Sequence, residues 1–191
     1  MKETLRDKTR DKLAQHLNSL GIRADLAERG RVEEKIENLW YQYSLGIIYI
    51  QEGLIRWINI VKKPRSKNSP PHWRVILAIP DERLSPNHQV IKTKTVRKKT
   101  FPLFGKVVDV RWEGEDYGLG LINVLSGDMS VKNTAIDIGN MEVRSHADTF
   151  RGWTLKVDRR IKPTNLHWEA FQKIAEYMLS SPLHCIECSM Q

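Results

Sequence analysis

The fold is decided by residues 44–61, which read SLGIIYIQEGLIRWINIV. Isoleucine and valine are dense on both sides of Glu52-Gly53, and branching at Cβ favours an extended backbone over a helix. Glu52-Gly53 is typical of a tight turn between two strands. We therefore predict a β-hairpin with strands at about 44–51 and 54–62. Both faces of its second strand are largely apolar, so we expect the hairpin to be central in a sheet and well covered.

Further strands are predicted where apolar and polar residues alternate along the chain. The segments assigned to them are 73–79, 89–97, 106–112, 134–138, 141–146 and 152–158. Phe150-Arg151-Gly152-Trp153 is interpreted as a turn into the last strand, with a glycine that permits another backbone to approach closely. Residues 117–125 are ambiguous, because their two glycines weaken a helix although their apolar residues have helical spacing.

Two helical stretches are predicted in the first 40 residues. Residues 3–20 place leucines on one stripe, and Gly21 can take the positive φ of a helix C-terminus. Residues 25–40 are also periodic, although Gly30 interrupts them. Together they predict an N-terminal helical hairpin over residues 1–41. Its second helix carries a run of glutamates that would repel phosphates, so we do not expect it to be a DNA-reading helix-turn-helix.

The C-terminal helix is predicted to begin at Thr164 or Asn165, which can cap it, and to end at Pro182. It has a broad apolar face suited to packing on a sheet. Strands bracketed by helices, with no regular crossover helices between them, indicate an α+β fold with a mostly antiparallel sheet. We thus expect an α+β domain at 42–182, after the helical hairpin, and a mobile tail at 183–191.

Composition excludes several classes of protein. The 191 residues are 40% hydrophobic and 28% charged, which is near the norm for globular chains. No run of about 18 apolar residues is present, so no transmembrane helix is expected. The first residues lack the apolar segment of a secretory signal. The two cysteines lie at the C-terminus and cannot staple the core, so a reducing, cytoplasmic setting is expected.

The formal charge of +8 is unevenly distributed along the chain. Residues 41–81 carry +4 and residues 82–106 carry +6, whereas residues 107–150 carry −5 and residues 151–163 carry +4. Such a layout suits a site for a polyanion beside an acidic or metal site. It equally suits oppositely charged segments that face each other on the folded surface.

The basic stretch from Arg56 to Lys106 is the main candidate site. Lysine and arginine neutralise phosphates, and exposed aromatic rings stack on unpaired bases. On a strand, Lys92 and Lys94 point the same way about 7 Å apart, which resembles the phosphate spacing of a single strand. The residues assigned to nucleic-acid binding are Lys62, Lys63, Arg65, Lys67, Arg74, Lys92, Lys94, Arg97, Lys98 and Lys99. Lysines that only guard an edge strand, and an anionic membrane as the polyanion, remain alternatives.

A metal-dependent nuclease or hydrolase is the second hypothesis. Such enzymes hold a divalent ion with carboxylates on neighbouring strands, followed by a basic residue that orients water. The candidate residues are Asp109, Asp128, Glu142 and Arg144. Arginine stands where a lysine would be wanted, and arginine does not readily lose a proton.

The tail offers a possible metal site in His184, Cys185 and Cys188. Two thiolates in a C-x-x-C pair can bind zinc, but the chain has no second cysteine pair to complete the site. No cofactor fingerprint is present, so no cofactor is expected. A third hypothesis is a protein-interaction subunit held through residues 1–41. Of the three, a non-enzymatic binding protein for nucleic acid is the one we favour.

Overall fold

The computed structural model contains an antiparallel sheet of eight strands. It describes residues 7–38, 42–101 and 105–183. The strands are β1 (Ala24–Leu26), β2 (Tyr43–Ile50), β3 (Trp57–Lys63), β4 (His72–Pro80), β5 (Lys92–Lys99), β6 (Val107–Glu115), β7 (Met141–Ala147) and β8 (Arg151–Val157). The helices are α1 (Thr9–Ser19), α2 (Leu121–Gly127), α3 (Met129–Ile138) and α4 (Asn165–Ser180), with a 3-10 helix at Val32–Lys35.

The strands lie in the order β1-β2-β3-β4-β8-β7-β5-β6, and every neighbouring pair is antiparallel. The predicted hairpin is confirmed as β2 and β3, with Gly53 at φ +90° in the connection. Ile58 and Ile60 of β3 are fully buried on one face, and Trp57 is buried on the other. The isoleucine-rich sequence therefore forms strands that are covered on both sides.

The helices pack against one face of the sheet, which we call the first face. Phe171, Ile174 and Met178 of α4 are fully buried in a cluster that includes Leu77 of β4 and Leu155 of β8. Three residues of α1 join the same cluster, namely Leu13, Ala14 and Leu17. The other face, here called the second face, has a small apolar cluster of Ile47, Trp57 and Ala78. Towards β8, β7 and β5 its side chains are polar or charged.

The open edge of β6 is occupied by side chains of its own chain. The backbone amide of Trp112 donates to the hydroxyl of Ser126 in α2 at 3.0 Å. The amide of Val110 donates to the carboxylate of Asp109 at 2.9 Å. The opposite edge of the sheet is β1, a strand of only three residues.

The predicted N-terminal helical hairpin is not confirmed, since α1 is the only α-helix within residues 7–38. Residues 25–38 instead contribute β1 and the 3-10 helix, and their backbone reverses at Gly30 with φ +84°. Glu37 also has a positive φ, of 54°, which a continuous helix does not allow. Pairing of β1 with β2 outweighs the weak helical periodicity of this stretch.

The predicted strand at 134–138 is wrong, because these residues lie within α3. Asp128 begins α3 by accepting hydrogen bonds from the amides of Ser130 and Val131 at 2.7 and 3.1 Å. The ambiguous segment 117–125 ends in α2. The C-terminal helix is confirmed, with the hydroxyl of Thr164 accepting from the amide of His167. In the ranges that the structure describes, no helix is both long enough and apolar enough to cross a bilayer.

Candidate polyanion surface

Three basic segments meet at one end of the sheet. The antiparallel pairing places the last residue of β3, the first of β4, the last of β8 and the first of β6 at the same end. The connection 64–71, the connection 100–106 and the segment 158–162 therefore all leave the sheet there. Residues 62–74, 97–106 and 158–162 contain twelve basic residues and one acidic residue. We call this surface the basic end.

Most of the charged side chains at the basic end are exposed to solvent. The exposed ones are Lys63, Arg65, Lys67, Lys98, Lys99, Lys106, Arg159, Arg160 and Lys162. Two others are held by single carboxylates: Lys62 by Asp7 at 2.6 Å and Arg74 by Asp158 at 3.1 Å. Most of the positive charge at this end is thus presented to solvent.

Trp73 organises the cations at the centre of the basic end. The guanidinium of Arg160 lies 4.3 Å from the centre of its ring, and the ammonium of Lys62 lies 5.0 Å away. Trp73 is half-buried against the main core, as its alternation with apolar residues indicated. Phe101 differs, since 72% of it is exposed beside Lys98 and Lys99. Within the described residues of the basic end, its ring is a large aromatic surface that is accessible to a ligand.

The ion pair between Asp7 and Lys62 has a testable pH dependence. Partial burial disfavours the charged form of Asp7, but hydrogen bonds from Lys62 and Thr9 outweigh it and lower its pKa to about 2. The pKa is below that of the unfolded chain, so the stabilisation is present above pH ~4 and is lost as the pH falls through ~2. We expect Asp7→Asn to lower the free energy of unfolding by about 1 kcal/mol at neutral pH, solvent screening included.

Urea denaturation of the wild type and of Asp7→Asn at several pH values measures this difference. It should shrink steadily as the pH falls from about 4 to about 2. A difference that is the same at neutral and acidic pH would contradict the role of the Asp7 carboxylate.

A groove extends the basic end along α1. It has a volume of about 630 Å³ and lies between α1 and residues 160–162. Lys12, Arg160 and Lys162 line it, together with His16 and without a carboxylate among the described lining residues. The imidazole Nε2 of His16 lies 2.7 Å from the backbone carbonyl oxygen of Pro163. This contact connects α1 to the segment that follows β8.

Lys92 and Lys94 lie away from the basic end, on the second face of the sheet. Lys92 is opposite Glu115 of β6, and Lys94 is opposite Glu113 of β6 and Glu142 of β7. A carboxylate directly across from a lysine on a neighbouring strand attracts it, with a contribution of about 0.2–1 kcal/mol. Lys92 and Lys94 therefore face carboxylates on the second face rather than the basic end, although Lys98 near the other end of β5 is also opposite a carboxylate, that of Asp109.

The two ends of the sheet carry opposite charge. Residues 51–56, 81–91, 113–120 and 147–151 lie at the end opposite the basic end and contain seven acidic and three basic residues. The nine residues of β4 separate the ends by about 30 Å. A molecule with this layout is electrically polarised along its strands and orients in the field of a polyanion.

The carboxylates of the hydrolase hypothesis are not brought together. Asp128 caps α3 on the helix side and also accepts from the hydroxyl of Tyr177 at 2.7 Å. Burial opposes its ionisation, but hydrogen bonds from Ser130 and Tyr177 prevail and hold its pKa well below the usual range. Asp109 binds Lys132 at 2.5 Å, and Glu142 lies on the second face with Arg144. Within the described ranges no three His, Cys, Asp or Glu side chains are placed to hold a metal ion.

His184, Cys185 and Cys188 lie outside the described residues. Sequence reasoning missed Arg159, Arg160 and Lys162 as site residues, although the net charge of +4 over residues 151–163 was a signal for them. Comparison with protein-family models, with curated proteins and with solved structures found no match for this chain. What the basic end binds is therefore inferred from its charge, exposure and spacing.

Proposed function

We propose that this protein binds nucleic acid through the basic end. The observation that carries the proposal is the convergence of three segments with twelve basic residues and one acidic residue at one end of the sheet. Arginine and lysine exposed in such numbers release the counterions of a phosphate backbone, which favours binding whatever the base sequence. Binding of this kind requires no catalytic group.

The size of the basic end matches a short run of phosphates. From β3 to β6 the sheet order crosses five inter-strand intervals, which is about 24 Å at the usual spacing. At about 6–7 Å per phosphate along an extended single strand, this width accommodates roughly four phosphates. Exposed lysines and arginines come from both sides of this span and from its middle, at 63–67, 98–106 and 159–162.

An exposed aromatic ring favours single-stranded over duplex nucleic acid. Phe101 is 72% exposed and lies next in sequence to the Lys98-Lys99-Thr100 segment. A base in a single strand can stack on such a ring, at a gain of about 1–3 kcal/mol, whereas a base in a duplex is already stacked. We therefore expect tighter binding to a single strand than to a duplex of the same sequence.

Fluorescence anisotropy with a labelled oligonucleotide of about 20 nucleotides tests the proposal. Four to five neutralised phosphates predict a slope of about −3 in log Kobs against log salt concentration. Affinity that does not change between about 50 mM and about 300 mM salt would exclude phosphate binding as the basis of the interaction.

Charge reversal locates the site. Arg65→Glu with Lys67→Glu, and Lys98→Glu with Lys99→Glu, should each weaken binding by about 10- to 100-fold, since each pair removes two phosphate contacts and adds repulsion. A matched control reverses two exposed cations away from the basic end, Arg56 and Lys94. Because salt screens charges beyond about 10 Å, this control should change affinity less than threefold. Equal losses in all three variants would show that net charge alone, and not this surface, determines binding.

A further inference from the structure

A cleft on the second face of the sheet lies apart from the basic end. It has a volume of about 460 Å³, lies over β4, β8, β7 and β5, and is bordered by residues 35–38. Register brings its side chains together, since Arg144 of β7 is opposite Lys92 of β5 and Glu142 of β7 is opposite Lys156 of β8. Residues that are distant in sequence thus share one polar concavity.

Two carboxylates at the bottom of the cleft are held by its cations. Glu37 accepts from Arg144 at 3.0 Å and lies 3.8 Å from the ammonium of Lys156. Glu142 accepts from Lys156 at 2.6 Å and lies 3.7 Å from Lys92. The side chains of Glu37 and Glu142 are only 11% and 16% exposed. These carboxylates fix the geometry of the cations around them.

The cleft retains positive charge after this pairing. Its cations are Lys35, Lys92, Arg144 and Lys156, set against two carboxylates, because Arg74 at the rim is paired with Asp158. His146 adds no charge: burial lowers its pKa, and its Nε2 lies 2.9 Å from the hydroxyl of Thr154. Among these lining residues the cations therefore outnumber the carboxylates by two.

The cations that face the opening are accessible to a ligand. The side chains of Lys92 and Arg144 are 51% and 40% exposed. The Nε of Arg144 is buried and has no hydrogen-bond partner within the described part of the chain, so a ligand can reach only the exposed part of this side chain.

We propose that this cleft binds a small phosphomonoester dianion. A charge of −2 matches the excess of positive charge among the lining residues, and Lys92 with the exposed part of Arg144 supplies the charge-assisted hydrogen bonds that phosphate oxygens take. The volume exceeds that of a phosphate group alone and falls in the range of small-molecule sites, about 300–1,000 Å³, so an organic group attached to the phosphate fits beside it. This site is separate from the nucleic-acid surface and does not depend on it.

Isothermal titration calorimetry of the full chain with inorganic phosphate tests the proposal. At constant ionic strength, set with sodium chloride, we expect one saturable site. Arg144→Gln and Lys92→Gln should each weaken binding about tenfold or more, as loss of a charge-assisted hydrogen bond requires. Circular dichroism shows whether each variant keeps the wild-type fold.

A variant that is expected to tighten phosphate binding distinguishes a direct effect on the ligand from a loss of structure. Glu142→Gln removes a competing carboxylate and should tighten phosphate binding severalfold, which a purely structural role of this residue would not produce. Lys98→Gln with Lys99→Gln weakens nucleic-acid binding but should leave phosphate binding unchanged. Binding that is lost in this basic-end control, or tighter binding of succinate than of phosphate, would overturn the assignment.

Discussion

Replacement of Asp81 by alanine should lower the free energy of unfolding by about 2–3 kcal/mol, because it removes the acceptor of a buried indole N–H and the partner of the half-exposed Arg83. Asp81 follows β4 and is 5% exposed. Its carboxylate accepts from the indole Nε1 of Trp153 at 2.9 Å and from the Nε and Nη2 of Arg83 at 2.9 and 2.8 Å. Removing it leaves a fully buried indole N–H without a partner.

Asp81 also acts on α4 through Arg83. The guanidinium of Arg83 donates to the backbone carbonyls of Met178 and Ser181 at 3.3 and 3.2 Å, at the C-terminal end of α4. Those carbonyls belong to the part of a helix that lacks partners within the helix. Loss of Asp81 therefore loosens the contact between the end of β4 and the end of α4.

Urea denaturation at neutral pH measures the effect. Asp81→Asn keeps one oxygen acceptor for Trp153 and should lose less stability than Asp81→Ala. The exposed neighbour Glu82 supplies the control, since Glu82→Ala should change the free energy of unfolding by less than about 0.5 kcal/mol. A loss below about 1 kcal/mol for Asp81→Ala would refute the structural role assigned to this carboxylate.

Replacement of Gly152 by alanine should cost about 2–4 kcal/mol, the sum of backbone strain and overpacking. Gly152 of β8 has φ +151° and pairs with Pro80 of β4. A Cβ at this position would lie 2.3 Å from the carbonyl oxygen of Ile79 and 2.8 Å from the Cα of Pro80. Both are backbone atoms of a central strand, which cannot move without breaking the pairing of β4 with β8.

Gly118 provides the control that separates the two contributions. It has φ +79°, and a Cβ there would have no heavy atom within 4 Å. Gly118→Ala should therefore show the conformational cost alone, about 1 kcal/mol. Equal losses of stability for Gly118→Ala and Gly152→Ala in urea denaturation would exclude close approach of the backbones as the cause.

Sequence patterns correctly predicted the elements whose conformation depends on neighbouring residues in the chain. The β-branched runs around Glu52-Gly53 indicated the hairpin, and Gly152 was assigned to a close approach of backbones. Residues 25–38 and 134–138 were misassigned for opposite reasons. In the first stretch pairing with β2 outweighed a helical pattern, and in the second the Asp128 cap began a helix in a segment that alternates like a strand.

The candidate site depended on topology that the sequence does not specify. Lys92, Lys94, Lys98 and Lys99 share one strand, yet only the last two reach the basic end, and the strand order sets the carboxylates opposite them: Glu115 and Glu113 for the first two and Asp109 for Lys98. The order and register of the strands determine which carboxylates lie opposite these lysines. Glu37 contacts Arg144 across more than a hundred residues of sequence, so no local pattern could have placed it in the cleft.

The side chains that occupy the edge of β6 bear on how several molecules would share one nucleic acid. With the amides of Val110 and Trp112 bonded to Asp109 and Ser126, a neighbouring molecule cannot extend the sheet through them. The three residues of β1 at the far edge offer little more. If the basic end binds nucleic acid as proposed, several molecules bound along one strand would remain separate. They would not join into a continuous sheet, and repulsion between their basic ends would keep them apart.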